Sequence, residues 1–144
     1  MAQSIILDSE NAFILNLNKE LNNDNIQIIK SKYKYNNIDF VIINEENLKH
    51  LYIELKERDI KFKDKYNSII VNMCKITAID KNYKKCIFIF KYGNIYKFIK
   101  YNKKIFNNFN TSFIKNQKVI NIPNSNLETG DITALKDFIN KYIN

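Results

Sequence analysis

The order of hydrophobic patterns along the chain predicts an α/β or α+β domain with a mixed β-sheet flanked by helices. Three observations lead there. Apolar residues recur at helical spacing near both ends and once in the middle. Between them lie short runs rich in Ile, Val, Tyr and Phe. One Pro, two Gly and no Ser-rich stretch leave no linker, so residues 1–144 read as a single domain without internal repeats.

The first element is an amphipathic helix from Ser9 to Leu21, because Phe13, Ile14, Leu17 and Leu21 recur at helical spacing behind a Ser or Asp cap. Strands follow at Ile26 to Lys30, at "IDFVII" (38–43) and at "LYIELK" (51–56). The polar loop "NEENLKH" pairs the last two antiparallel. From Lys65 to Ile79, residues Tyr66, Ile69, Ile70, Met73 and Thr77 return to helical spacing and predict a second helix. "KCIFIFKYGNIYKFIKY" reads as a hairpin in which Gly93 and Asn94 supply the positive φ of a tight turn. A strand "KVINI" stops at Pro123. Asp131 then caps a final helix carrying Leu135, Phe138, Ile139 and Tyr142.

Composition bounds the function. Apolar residues make up 45% of the chain, with nine Tyr and ten Phe, which excludes disorder and predicts a packed core. The formal charge is +8, almost all of it from Lys, and points to a polyanion as partner. Nucleic acid comes before membrane, since no Lys/Arg-rich amphipathic helix presents a clean apolar face. Codon bias weakens this inference, because Lys, Asn, Ile and Tyr all have AT-rich codons. Cys74 and Cys86 form neither a CxxC pair nor a Cys/His cluster, and the single His50 reads as a surface loop residue, so zinc is not expected. With no signal peptide, long apolar run or lipidation motif, the sequence predicts a soluble intracellular protein with reduced thiols.

The chemistry gathers in "LYIELKERD" (51–59). Strand alternation puts Leu51, Ile53 and Leu55 on one face and Tyr52, Glu54, Lys56 and Arg58 on the other. A solvent-facing strand carries such charges at no cost, so the pattern means more only if a second carboxylate joins it. Asp39 supplies one, with fourteen residues between it and Glu54, at the end of the hairpin that antiparallel pairing brings beside Glu54 and Lys56. Two ionised carboxylates that close raise one another's pKa, and a divalent cation removes the conflict. Glu10 is a third acid, on the core-facing stripe of the first helix and in its first turn, where the helix dipole alone also accounts for it.

Asp39 followed by Glu54-Leu55-Lys56 on adjacent strands, after a helix bearing Glu10, resembles the PD-(D/E)XK nuclease superfamily. Its restriction-endonuclease-like core runs α, β, β, β, α, β, and the resemblance covers residues 9–92. "YIELKERD" with "DKYNSIIVNMCKI" is also similar to small members from large DNA viruses, for which host cytoplasm or virion would be the setting. Ile38 stands where the family pattern has Pro. The resemblance implies that Asp39, Glu54, the Leu55 carbonyl and Glu10, directly or through water, hold Mg²⁺ (or Mn²⁺), and that Lys56 orients the attacking water. It places Arg58, Lys65 and Lys75 toward the nucleic acid, against a plain reading as a solvated basic face. The implied activity is metal-dependent hydrolysis of phosphodiester bonds, in DNA before RNA. A chain this short has no room for an appended recognition domain, which favours structure-specific cleavage and a homodimer or a partner subunit. The rival on the same fold is an inactive nucleic-acid-binding or assembly protein.

Overall fold

The computed structural model describes residues 9–31, 38–83 and 85–144. It begins with helix α1 (Ser9–Leu21), followed by strands β1 (Ile26–Lys30), β2 (Phe40–Asn44) and β3 (His50–Glu57). Then come β4 (Ser68–Asn72), α2 (Met73–Asn82) and the hairpin β5 (Cys86–Tyr92) and β6 (Ile95–Lys100). The rest is α3 (Lys103–Asn107), β7 (Thr111–Ile114), β8 (Gln117–Pro123), β9 (Glu128–Gly130) and α4 (Ile132–Ile143). Among the described residues no helix is long and apolar enough to cross a membrane.

Six strands form one mixed sheet in the order β1-β2-β3-β5-β6-β9, and β4-β8-β7 form a second. Among the described residues of the large sheet, only β3 and β5 run parallel. A parallel pair needs a crossover, and residues 58–85 provide it, carrying β4 and α2 across one face of the sheet. That crossover sets α2 above the even-numbered side chains of β3.

The two faces bury different partners. Leu51, Ile53 and Leu55 of β3 pack with Phe13 and Leu17 of α1 and with Leu135 and Ile139 of α4. The opposite face, through Phe88, Phe90 and Ile99, packs on Ile76 and Ile79 of α2 and on Ile69, Val71, Ile120 and Ile122 of the small sheet. β5 is buried continuously from Cys86 to Phe90, as a central strand covered on both sides must be. The apolar stripe of α1 falls where its spacing puts it: Phe13, Leu17 and Leu21 are buried and Ile14 packs beside them.

The structure departs from the sequence reading in three places. Residues 65–79 are not one helix: Ser68–Asn72 is a strand, and α2 starts only at Met73, with Asn72 Oδ1 accepting from the Cys74 N–H. Ile69 and Val71 are buried while Ile70 between them is exposed, a period of two that the coincidental helical spacing of Ile69, Ile70 and Met73 concealed. Three successive β-branched residues favour the strand. In the β5–β6 turn only Gly93 has positive φ, at 62°, so Asn94 does not share it and the turn is of the Gly-first type. His50 opens β3 with its ring against Tyr52, at 5.2 Å between centroids, and is not a loop residue. The structure adds the short elements α3, β7 and β9, which carry too few apolar positions to give a periodic signal in the sequence.

Asp131 caps α4 by accepting from the Ala134 N–H at 3.0 Å. The preceding Gly130 leaves room for that first turn, since a methyl added there would collide with the Ala134 methyl. Gly130→Ala is therefore expected to destabilise the protein by about 1–3 kcal/mol, the cost of overpacking against a rigid helix. A chemical-denaturation midpoint unchanged from wild type would show that α4 shifts freely.

Candidate active site

Two charged side chains are buried among the described residues, Glu54 and Lys97. Glu54 owes its position to register. Phe40 pairs with Ile53, so Asp39, one step before, stands opposite Glu54 on the face that α2 covers. The Asp39 N–H still donates to the Ile53 carbonyl at 3.0 Å, but the chain bends there and the regular ladder ends. The Leu55 N–H, next along that edge, donates to Asp39 Oδ2 at 2.6 Å instead. A strand residue points its N–H and C=O to the same edge, so the Leu55 carbonyl faces the Asp39 side as well.

Around Glu54 the two carboxylate oxygens differ. Oε1 lies 3.2 Å from Lys56 Nζ, two residues on along the same face, and accepts a short bond from Lys75 Nζ on α2. Oε2 is buried and has no hydrogen-bond partner among the described residues. The side chain is 1% exposed. Burial pushes the Glu54 pKa above the usual carboxylate range and the neighbouring Asp39 charge adds to the rise, while Lys75 and Lys56 oppose it. An unpaired carboxylate oxygen held in a dry site beside a second carboxylate fits a divalent cation, which takes hard oxygen donors and neutralises both charges.

The other sequence-singled residues fall into place around this pair. Lys56 is 42% exposed, so its ammonium sits where the buried carboxylate meets solvent. Lys75, read from sequence as facing nucleic acid, turns inward to Glu54 and is 21% exposed. Lys65, expected on the helix after the motif, instead lies in the loop before β4 with its Nζ 5.1 Å from the Phe62 ring centroid. Arg58 is exposed just past β3. Glu10 lies in the first turn of α1 with Oε1 3.8 Å from Lys30 Nζ, and Lys30 is the β1 partner of Phe40, next to Asp39. Among the described residues no group of three or more Asp, Glu, His and Cys side chains is placed to hold a metal ion. Cys86 is buried and Cys74 exposed, both as free thiols; burial pushes the Cys86 thiol up and makes it inert.

Two placements are not legible in the sequence. The inward turn of Lys75 could not be read from a helix placed from Lys65 onward. Lys97 alternates with aromatics in "IYKFIKY" as if it faced solvent, yet it lies under the crossover that covers this face.

No protein-family model and no curated protein matches the sequence. Solved structures do. One is Hjc of Archaeoglobus fulgidus, a Holliday junction resolvase from an archaeal hyperthermophile, at a TM-score of 0.50 and 15% identity over 86% of this chain and 96% of that one. Another is a nuclease from a fusellovirus, at a TM-score of 0.55 and 14% identity over 97% of both chains. The chain has their fold: a mixed sheet flanked by helices, as its sequence predicts.

Proposed function

We propose that the protein is a metal-dependent nuclease that hydrolyses phosphodiester bonds in DNA, with Asp39, Glu54 and Lys56 at its centre. The observation that carries this reading is the unpartnered buried Oε2 of Glu54 beside Asp39. A fold whose neighbours include a Holliday junction resolvase and a viral nuclease supports it.

Asp39, Glu54 and the Leu55 carbonyl would hold Mg²⁺ or Mn²⁺, with Glu10 reaching the site through water. Such a cation supplies Lewis acidity toward a phosphate oxygen and lowers the pKa of bound water. The rest falls to the chain. The Leu55 N–H fixes Asp39 through Oδ2. Lys75, from the crossover, pins Glu54 Oε1, while Oε2 has no hydrogen-bond partner among the described residues. Lys56, anchored on the same oxygen but half in solvent, is placed to orient the attacking water and to offset charge growing on the phosphate.

The engagement of Glu10 by Lys30 favours a second reading, an inactive nucleic-acid-binding or assembly protein on this fold. Cleavage of labelled DNA with Mg²⁺ or Mn²⁺ decides between them.

A surface of +8 formal charge reads backbone rather than bases, so binding should weaken steeply with salt and depend little on sequence. Discrimination then comes from nucleic-acid shape. A four-way junction or a flap is expected to outcompete linear duplex of equal length at fixed salt. Equal competition by junction, flap, single strand and duplex would leave a nuclease without structural preference. Two nicks across a junction need two centres, so a homodimer or a partner subunit belongs to this reading.

A further inference from the structure

Past the C-terminal end of β3 lies a cavity of about 450 Å³ lined by Arg58, Phe62, Lys63, Tyr66, Tyr92 and Asn124 among others. Arg58 follows Lys56 by two residues, roughly 7 Å of extended chain, so the cavity begins a short step beyond that lysine. Its aromatic wall is partly open to solvent. Tyr66 is 57% exposed and Phe62 36%, and the two rings lie 6.2 Å apart with planes 27° from parallel. Lysines crowd these rings: Lys61 Nζ is 5.0 Å from the Phe62 centroid, and Lys65 Nζ is 5.1 Å from Phe62 and 5.6 Å from Tyr66.

The loop that carries the rings is tied down on three sides. Asp59 caps its first turn by accepting from the Lys61 N–H at 3.1 Å. Buried Lys97 donates from Nζ to the Lys63 carbonyl at 2.5 Å, and Asn124 Nδ2 donates to the Tyr66 carbonyl at 2.7 Å. A loop so held presents its rings without ordering them at the moment of binding. The cavity thus combines π faces and cations.

We propose that this cavity receives an unpaired nucleotide next to the scissile phosphate, its base on Phe62 and Tyr66 and its phosphate toward Arg58 and Lys63. The proposal rests on the nuclease reading above and names the feature of the substrate that the site selects. Ring faces flanked by lysines suit a base attached to a phosphate, because every base has a π face and the cations meet the backbone charge. A paired base is stacked on both sides and cannot enter a concave site. An unpaired one can.

The test is equilibrium binding without divalent metal at fixed salt, to a duplex with a single-stranded flap and to a blunt duplex of equal length. Wild type is expected to favour the flap. Phe62→Ala and Tyr66→Ala are each expected to weaken flap binding about tenfold, within the range one stacked base supplies, and to leave duplex binding unchanged. Tyr66→Phe should keep the preference. Parallel loss on both substrates, or no loss on either, overturns the proposal. So does concentration-dependent self-association of wild type that both alanine variants abolish while flap affinity stays intact, since a second copy of the chain would then own the cavity. Failure of the nuclease reading looks different: neither cleavage nor Mg²⁺-induced stabilisation would occur in wild type, whereas failure of this proposal alone leaves both in place.

Discussion

Lys56→Ala is expected to slow DNA cleavage by about 10²–10⁴-fold, the usual worth of a positioned proton-transfer group, while nucleic-acid affinity stays within a few-fold. The asymmetry follows from what the residue touches. For binding, it is one cation among the 23 Lys and Arg of a basic chain. For chemistry, its ammonium is the one on Glu54 Oε1 that also meets solvent, 42% exposed against 21% for Lys75. Lys75 shares that oxygen, so Lys56 is not the only cation at the carboxylate, and some charge compensation survives the substitution. Lys75→Ala should behave differently. It removes the ammonium whose hydrogen bond and charge hold the Glu54 pKa down, so Glu54 is expected to hold its proton to a higher pH and the activity profile to move upward in pH. Single-turnover rates measured across pH separate the two. If Lys56→Ala cuts at the wild-type rate, Lys56 is a surface residue.

Much of this arrangement was legible in the sequence because it is local or set by register. The helix stripe Phe13, Leu17, Leu21 and the alternation of Leu51, Ile53, Leu55 each repeat at their element's period, and both land in the core as expected. The hairpin register that puts Asp39 opposite Glu54 follows from two apolar strands and a short polar loop. What the sequence concealed depends on the crossover. Whether Lys75 faces nucleic acid or Glu54 is decided by where β4 ends and α2 begins, and the Ser68–Asn72 strand disguised that boundary with a helical spacing. Lys97 reads as a solvent-side residue of a hairpin until the crossover loop closes over it and takes its ammonium on the Lys63 carbonyl.

Asp39→Asn and Glu54→Gln are expected to abolish the stabilisation that Mg²⁺ gives wild type. At free Mg²⁺ about a hundredfold above its dissociation constant, that stabilisation should amount to about 2.7 kcal/mol, or about 5–10 °C in Tm for a chain of this size. Without metal, both variants should be slightly more stable than wild type at neutral pH, since each removes one of two acids held together. The pH dependence tests the cause. Burial and the Asp39 charge raise the Glu54 pKa in the folded protein above its ordinary 4.5. The folded state therefore binds a proton more tightly than the unfolded chain, and Glu54's contribution to stability is full below pH 4.5 and is lost as pH rises through the folded value. Metal-free wild type should lose stability relative to Glu54→Gln across that window, and the two curves should run parallel on either side of it. Asp39→Asn, which keeps an acceptor for the Leu55 N–H but removes the second charge, should narrow the window from above. Thermal unfolding in EDTA and in Mg²⁺, from pH 4 to 8, measures all of this. Equal Mg²⁺-induced shifts in wild type and both variants would remove the metal from this site, and parallel metal-free curves throughout would show that Glu54 ionises in the fold as it does in water.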